Sequence, residues 1–289
     1  NIQSNSERGS VLRHLIQTQE LSTNGYLQYL QSVDKMSSST EKGACLRALD
    51  IEFKDKTVLN AYFTTISKIS SNSESGSVMR NIIRSGKLQD EDYIPLLETV
   101  GKLSSSSEQG SVLRALPSLA LTNPSLTNAY FNAISSISSS SEFGSVLRDA
   151  LRKMKMNEDA WITLFNTAGK LSSSTELGLV LRRAIPIMPF SNTALDQFYT
   201  TTSKISSPSE MGSVLRQIIM SDKLTKYGMI GALTTAQKLS SSSEKSAVLR
   251  QAASSPFIKD PAVKEAYKAT AKGLTSDTEY RRVIDVLID

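Results

Sequence analysis

Apolar residues recur along the chain at spacings that place them on one side of a helix. Each apolar pair follows a polar string, Ser-x-x-Glu, and further apolar residues come eight or nine positions after the glutamate. At about 100° per residue these positions share one helix face. The pairs are Val11 with Leu12, Cys45 with Leu46, Val78 with Met79, Val112 with Leu113, Val146 with Leu147, Val180 with Leu181, Val214 with Leu215, Val248 with Leu249 and Val283 with Ile284.

The Ser-x-x-Glu string marks an internal repeat. Its glutamates are Glu7, Glu41, Glu74, Glu108, Glu142, Glu176, Glu210, Glu244 and Glu279. The intervals between them are 34, 33, 34, 34, 34, 34, 34 and 35 residues. A period of this size, held over nine copies, predicts a solenoid of two-helix units that bury their apolar faces against their neighbours.

Each copy predicts two helices, which we call A and B. Ser-x-x-Glu before an apolar run is a capping box, in which the serine hydroxyl accepts from the glutamate amide and the glutamate side chain reaches back to the serine amide. This motif predicts the start of helix A. Helix B precedes it, with apolar residues five, eight, eleven and twelve positions before the glutamate, as in Tyr62, Phe63, Ile66 and Ile69.

The composition excludes several classes of site. The chain has 289 residues, 39% hydrophobic and 21% charged, and its apolar runs are far shorter than the roughly 18 residues of a membrane span. It contains one cysteine, Cys45, and one histidine, His14, so an intrachain disulfide and a Cys/His zinc cluster are excluded. Cys45 occupies a valine position and is expected to be buried, whereas His14 is expected at the surface.

No catalytic motif stands out from the repeats. The sequence has no glycine-rich phosphate loop, no His-Glu-x-x-His and no Gly-x-Ser-x-Gly. We therefore expect no enzyme activity, no catalytic residues, no cofactor and no metal site. The net charge of +5 is spread thinly along the chain, which makes nucleic acid an unfavoured partner.

The repeat unit resembles a known family of helical repeats. The strings that carry the resemblance are Ile69-Ser70-Ser71 through Glu74, Leu103-Ser104-Ser105 through Glu108, and Ser241 through Lys245 with Val248 and Leu249. They are similar to HEAT-like repeats of exported bacterial proteins and of the extracytoplasmic parts of membrane zinc metallopeptidases of the β-lactam-sensor type. The resemblance implies an all-α, right-handed superhelix and an extracytoplasmic location, periplasmic or secreted. It implies no proteolytic activity, because the metallopeptidase motif is missing.

An arginine stands six residues after the glutamate in eight consecutive copies. These residues are Arg13, Arg47, Arg80, Arg114, Arg148, Arg182, Arg216 and Arg250. Either each arginine bonds to a carboxylate or carbonyl of an adjacent repeat, or the arginine ladder receives an acidic peptide or polyanion. The ninth copy carries Asp285 there, which favours the structural interpretation. Glycine two residues after the glutamate, in seven copies, predicts a close approach by the neighbouring repeat.

The residue directly after the glutamate differs in chemical character from copy to copy. It is charged or polar in several copies, as in Arg8, Lys42 and Gln109, which suggests that it reaches solvent. Three adjacent copies fill it with Phe143, Leu177 and Met211. These three residues are a candidate apolar strip for binding a partner, unless the central repeats simply pack differently.

The sequence therefore predicts one domain over residues 1–289, an all-α, HEAT-like solenoid of about eight and a half repeats with a period of about 34 residues. Ile2 fits the last apolar position of a B helix, so we expect the chain to begin inside a repeat of a longer protein. The predicted function is a non-catalytic scaffold that binds another protein or peptide. The alternatives are the non-catalytic extracytoplasmic region of a larger enzyme, such as a membrane-anchored peptidase, and a polyanion or nucleic-acid binder that uses the arginine ladder.

Overall fold

A computed structural model describes residues 4–50 and 52–285. Ile2, on which the expectation about the start of the chain depends, lies outside the described residues. Within them the chain forms seventeen α-helices that alternate between A and B types, so the prediction of an all-α helical repeat is confirmed.

The odd-numbered helices are the A helices. They are α1 (Asn5–Thr18), α3 (Ser39–Ala48), α5 (Asn72–Ser85), α7 (Ser106–Ala115), α9 (Ser140–Lys153), α11 (Ser174–Ala184), α13 (Pro208–Ile219), α15 (Ser242–Ala253) and α17 (Asp277–Ile284). The even-numbered helices are the B helices, α2 (Thr23–Asp34), α4 (Lys56–Ser67), α6 (Tyr93–Val100), α8 (Pro124–Ser135), α10 (Glu158–Ala168), α12 (Asn192–Thr202), α14 (Lys226–Ala236) and α16 (Pro261–Ala271).

Short elements occupy some of the A-to-B connections. Asp90–Asp92 and Pro256–Lys259 are 3₁₀ turns that lead into α6 and α16. Ala120–Leu121 and Lys155–Met156 are two-residue strands, and the Lys155 amide donates to the Leu119 carbonyl at 3.0 Å. These elements leave the alternation of A and B helices unchanged.

Serine begins every A helix, as the capping motif predicts. In all nine copies the serine hydroxyl accepts from the amide of the glutamate three residues later, at 3.3 or 3.4 Å. Such a cap satisfies one of the amides that the first helical turn leaves without a partner, and contributes about 1 kcal/mol. The repeated serine therefore sets where each A helix starts.

The chain divides into two compact units. The first contains Asn1–Asp149 and Lys153–Lys155, and the second contains Ala150–Arg152 and Met156–Asp289, so that α9 holds residues of both. In the first unit α1, α3, α5 and α7 pack in sequence, and so do α2, α4, α6 and α8. In the second unit α11, α13, α15 and α17 form one layer and α10, α12, α14 and α16 the other. The prediction of a single domain over 1–289 stays a prediction.

The core of each unit lies between its A and B layers. The B-helix residues Tyr62, Phe63 and Ile66 are at most 2% exposed, as the spacing predicts. In the A helices the residue at the first position of the apolar pair is at most 1% exposed in copies two to nine. The expectation fails for Val11, which is 55% exposed, because within the described residues no A helix packs on the side of α1 opposite α3.

Hydroxyl groups join consecutive repeats at the B-to-A corners. The first residue of an A helix contacts the residue one position before the next capping serine, 31–33 residues further along the chain. Ser39 and Ser70 are 2.9 Å apart, and the Asn72 amide donates to Ser104 at 2.9 Å. Many of the corner serines are therefore occupied in bonds between repeats.

Val11 and Val112 occupy the same position of the repeat, but Val11 is 55% exposed and Val112 is fully buried, so the two valines test the packing of the core. We expect Val112→Ala to lower the free energy of unfolding by about 2 kcal/mol, because it removes two fully buried methyl groups and leaves a cavity. Val11→Ala should change it by less than about 0.5 kcal/mol, since the same side chain is mostly in solvent there. Urea denaturation followed by circular dichroism measures both, and equal effects would contradict this packing.

Candidate partner-binding site

The arginine ladder is occupied by carboxylates of the neighbouring repeat. In six copies the arginine Nη1 atom lies 2.5–2.7 Å from the capping-motif glutamate of the following repeat. The pairs are Arg13 with Glu41, Arg47 with Glu74, Arg80 with Glu108, Arg114 with Glu142, Arg182 with Glu210, and Arg216 with Glu244. This is the structural interpretation of the ladder.

These pairs show that one of the two hydrogen bonds of the predicted capping box is replaced by an ion pair. The serine hydroxyl caps the glutamate amide, but the carboxylate turns away from its own helix end to the arginine of the preceding repeat. The arginine side chains in these pairs keep only 20–35% of their surface exposed, and the carboxylates 18–25%. A polyanion would have to displace these carboxylates to reach the guanidinium groups.

The remaining two arginines of the ladder differ from these six. Arg148 takes part in an interaction and is not free. Arg250 is exposed, and the glutamate of the following repeat, Glu279, pairs with Arg282 of its own helix at 3.0 Å. The Ser246 hydroxyl, with smaller contributions from Arg282 and Arg250, holds the pKa of Glu279 below its ordinary value.

The repeated glycine makes room for this carboxylate. A Cβ atom built on Gly9, Gly43, Gly76, Gly110, Gly178 or Gly212 would collide with the glutamate of the next repeat. Gly76 and Arg80 are four residues apart and face the same side of α5. Together they form a seat in which Glu108 lies over the glycine and is held by the arginine. The predicted close approach exists, and a side chain rather than a backbone makes it.

The candidate strip of Phe143, Leu177 and Met211 is not exposed. These side chains are 5%, 1% and 4% exposed, so they belong to the interior and the prediction of a solvent-facing strip is wrong. The polar residues at the same position are buried too: Lys42, Gln109 and Lys245 are 8%, 2% and 6% exposed. Charge at this position was therefore a poor indicator of contact with solvent.

Polar residues fit this buried position because backbone carbonyls lie within their reach. Lys245 donates to the Gly273 carbonyl at 2.9 Å, and Gln109 donates to the Val100 carbonyl at 3.4 Å and to Ser136 Oγ at 2.8 Å. Burial lowers the pKa of Lys245. Ser75 donates to the Ile69 carbonyl at 3.3 Å. The position thus takes either an apolar side chain or a donor that reaches a B-helix C-terminus.

The two residues with potential metal or nucleophile chemistry lie where the sequence predicts. Cys45 is fully buried, and burial raises the pKa of its thiol. His14 is exposed on α1. Across residues 4–50 and 52–285 no group of three His, Cys, Asp or Glu side chains is arranged to hold a metal ion. None of the helices described there combines the length and apolarity of a membrane span.

A groove of about 400 Å³ lies on the outer face of the B layer in the second unit, between α12 and α14. We call it the tyrosine groove, and the lining residues used below are Asp196, Tyr199, Thr200, Tyr227, Ile230, Gly231, Thr234 and Lys238. Tyr227 is 42% exposed, and Thr200, Thr234 and Lys238 are also exposed. It combines an aromatic and aliphatic floor with charged groups at its edges, which is the composition of a protein-binding surface.

Glycine residues of α14 shape the tyrosine groove. A Cβ atom on Gly231 would lie 2.5 Å from Cε2 of Tyr199, so the glycine lets the tyrosine ring lie against α14. The Tyr199 hydroxyl donates to the Gly228 carbonyl at 2.6 Å and fixes the ring. At the position of Gly231, α6 carries Pro95 and α10 carries Thr163.

Charges of opposite sign mark the two ends of the tyrosine groove. At the N-terminal end of α14 the Tyr227 hydroxyl donates to Asp196 Oδ1 at 2.7 Å, and this bond raises the pKa of Tyr227. At the C-terminal end Lys238 lines the groove and is exposed, two residues after the end of α14. Its ammonium group makes this end of the groove positive, whereas the Lys204 side chain lies against Gly169 at the end of α10, away from the groove.

Sequence reasoning missed the tyrosine groove, although one signal was present. Fourteen residues before the glutamate, apolar and polar residues alternate from copy to copy along the B helices: Leu27, Asn60, Ile94, Asn128, Ile162, Asp196, Ile230 and Glu265. The apolar members are half-buried and the polar members exposed. The outer B face therefore repeats every two copies, and its junctions are not equivalent.

Two other grooves lie at A-to-B corners. One, of about 450 Å³, includes Met220, which is 61% exposed, and Phe257. The other, of about 620 Å³, includes Phe53, Asp50 and Glu52. The tyrosine groove is the candidate site, because it combines accessible aromatic and aliphatic side chains with a charge of each sign.

No protein-family model matches the chain, and no curated protein matches it significantly. The candidate site therefore rests on its own geometry.

The glycine seat generates a direct test. We expect Gly43→Ala to lower the free energy of unfolding by about 1–2 kcal/mol, although alanine favours the helix, because its Cβ would lie within 2.6 Å of Oε1, Cδ and Cγ of Glu74 and displace that side chain. Gly101→Ala is the control, since its Cβ would lie no closer than 3.5 Å to any neighbour outside its own local backbone. Urea denaturation measures both, and a Gly43→Ala protein as stable as the parent would contradict the seat.

Proposed function

We propose that the chain is a non-catalytic helical-repeat scaffold that binds another protein. The observation that carries this proposal is the tyrosine groove, where Tyr227 and Ile230 remain accessible beside charged groups. Tyrosine gives a large contact area at a low cost in side-chain entropy, and it is enriched at binding hot spots. The repeat contacts hold the backbone of the groove in place, which reduces the entropy lost on binding.

The resemblance of the repeats to those of exported bacterial proteins supports an extracytoplasmic location, periplasmic or secreted. A binding scaffold is equally suited to act alone or as the non-catalytic region of a larger enzyme, such as a membrane-anchored peptidase. The polyanion alternative is disfavoured, because its guanidinium groups are already paired with carboxylates in at least six copies.

A phage-displayed library of random peptides tests this function. We expect the chain to enrich peptides whose binding falls at least about tenfold in Tyr227→Ala, because a central aromatic contact is removed. Thr64→Asp, at an exposed B-helix position of the first unit equivalent to Thr200, should leave binding unchanged. The absence of enrichment, or enrichment insensitive to Tyr227→Ala, would contradict the proposal. Circular dichroism verifies that both variants keep the parent fold.

A further inference from the structure

The shape of the tyrosine groove favours one kind of occupant. α12 and α14 are successive B helices that pack side by side and run in the same direction, each from an A-to-B corner to a B-to-A corner. The groove between two such helices accommodates the side-chain ridge of a third helix. Their backbone groups are bonded within each helix, so they offer no free strand edge to which an extended peptide adds.

The groove residues of α14 form a stripe along the helix. Tyr227, Ile230, Thr234 and Lys238 follow one another at spacings of three, four and four residues, which places them on one face. The stripe is about 16 Å long at 1.5 Å per residue. Its length matches three turns of a partner helix, and its apolar members lie in the first half.

The charges give the partner helix a direction. Asp196 lies at the end where α14 begins, and Lys238 lies just after α14 ends. A partner helix antiparallel to α14 places its N-terminal turn over Lys238 and its C-terminal turn over Asp196. Helices favour acidic residues in the first turn and basic residues in the last, so both the side-chain charges and the helix dipoles are then complementary.

We propose that the tyrosine groove binds an amphipathic helix of another protein, antiparallel to α14, with apolar side chains on Tyr227 and Ile230, acidic residues near Lys238, and basic residues near Asp196. This inference rests on the proposed function and names the class of partner. The α4–α6 junction of the first unit, which has Pro95 in place of Gly231, serves as an internal contrast.

The probe is a stapled helical peptide of about 16 residues, with acidic residues in its first turn, two leucines four positions apart, and basic residues in its last turn. A second probe replaces both leucines with serine. Fluorescence anisotropy measures binding to the full chain. We expect the leucine probe to bind at least about tenfold more tightly than the serine probe, since the apolar contacts provide the central anchor.

Variants of the protein locate the site and its polarity. Tyr227→Ala should weaken the leucine probe at least about tenfold, and Lys238→Glu about threefold or more, an effect that salt reduces. Thr64→Asp should change neither value. Asp196→Lys should weaken binding of the leucine probe, because the new lysine repels the basic last turn of the peptide. A third probe, with basic residues in its first turn and acidic residues in its last, should bind the Asp196→Lys/Lys238→Glu double variant with recovered affinity.

Each outcome is decisive once circular dichroism shows the variants to be folded. Failure of the leucine probe to bind, or binding insensitive to both Tyr227→Ala and Lys238→Glu, would overturn the helix proposal. Library peptides that need Tyr227 but bind in extended form would also overturn it, while leaving the proposed protein-binding function intact. If neither the library nor the probe binds, the proposed function falls as well.

Discussion

At six or more junctions between A helices, one glutamate joins the helix to the one before it. Its backbone amide is capped by the serine that starts its own helix, while its carboxylate lies over a glycine and is held by an arginine of the preceding helix. Serine, glutamate, glycine and arginine thus form one unit that spans two repeats. The nearly constant interval between glutamates follows, because a change of helix length between Gly76 and Glu108 would separate the carboxylate from its seat.

This constraint decides which surfaces remain for binding. At least six of the arginines that looked available on the A helices are paired, and the residues directly after the glutamates are buried in copies two to eight. The described B helices carry no equivalent ladder of arginine and glutamate on their outer face, and their residues differ between copies. There Gly231 admits the Tyr199 ring, whose hydroxyl donates to the Gly228 carbonyl, and the tyrosine groove lies beside it. The regular A layer therefore supports an irregular B layer.

Most of the fold was predictable from the sequence, and most of the candidate site was not. Helix starts and the buried B-helix pattern follow from local periodicity, and Asp285 correctly pointed to an arginine partner in the next repeat. The exposure of Phe143 was predicted wrongly because Lys42 and Gln109 seemed to mark an exposed position. Long polar side chains can be buried when a carbonyl lies within reach, as Val100 does for Gln109. The groove depends on Tyr199 meeting Gly231 of the next repeat, a contact that no single-copy pattern contains.

A double-mutant cycle on Arg182 and Glu210 tests the central claim most directly. These side chains pair at 2.7 Å within the second unit, and each is less than a quarter exposed. The single variants Arg182→Ala and Glu210→Ala and the double variant are compared by urea denaturation. If the pair holds consecutive repeats together, the coupling energy is about 1 kcal/mol or more in favour of the pair. Additive effects within about 0.3 kcal/mol would contradict the account.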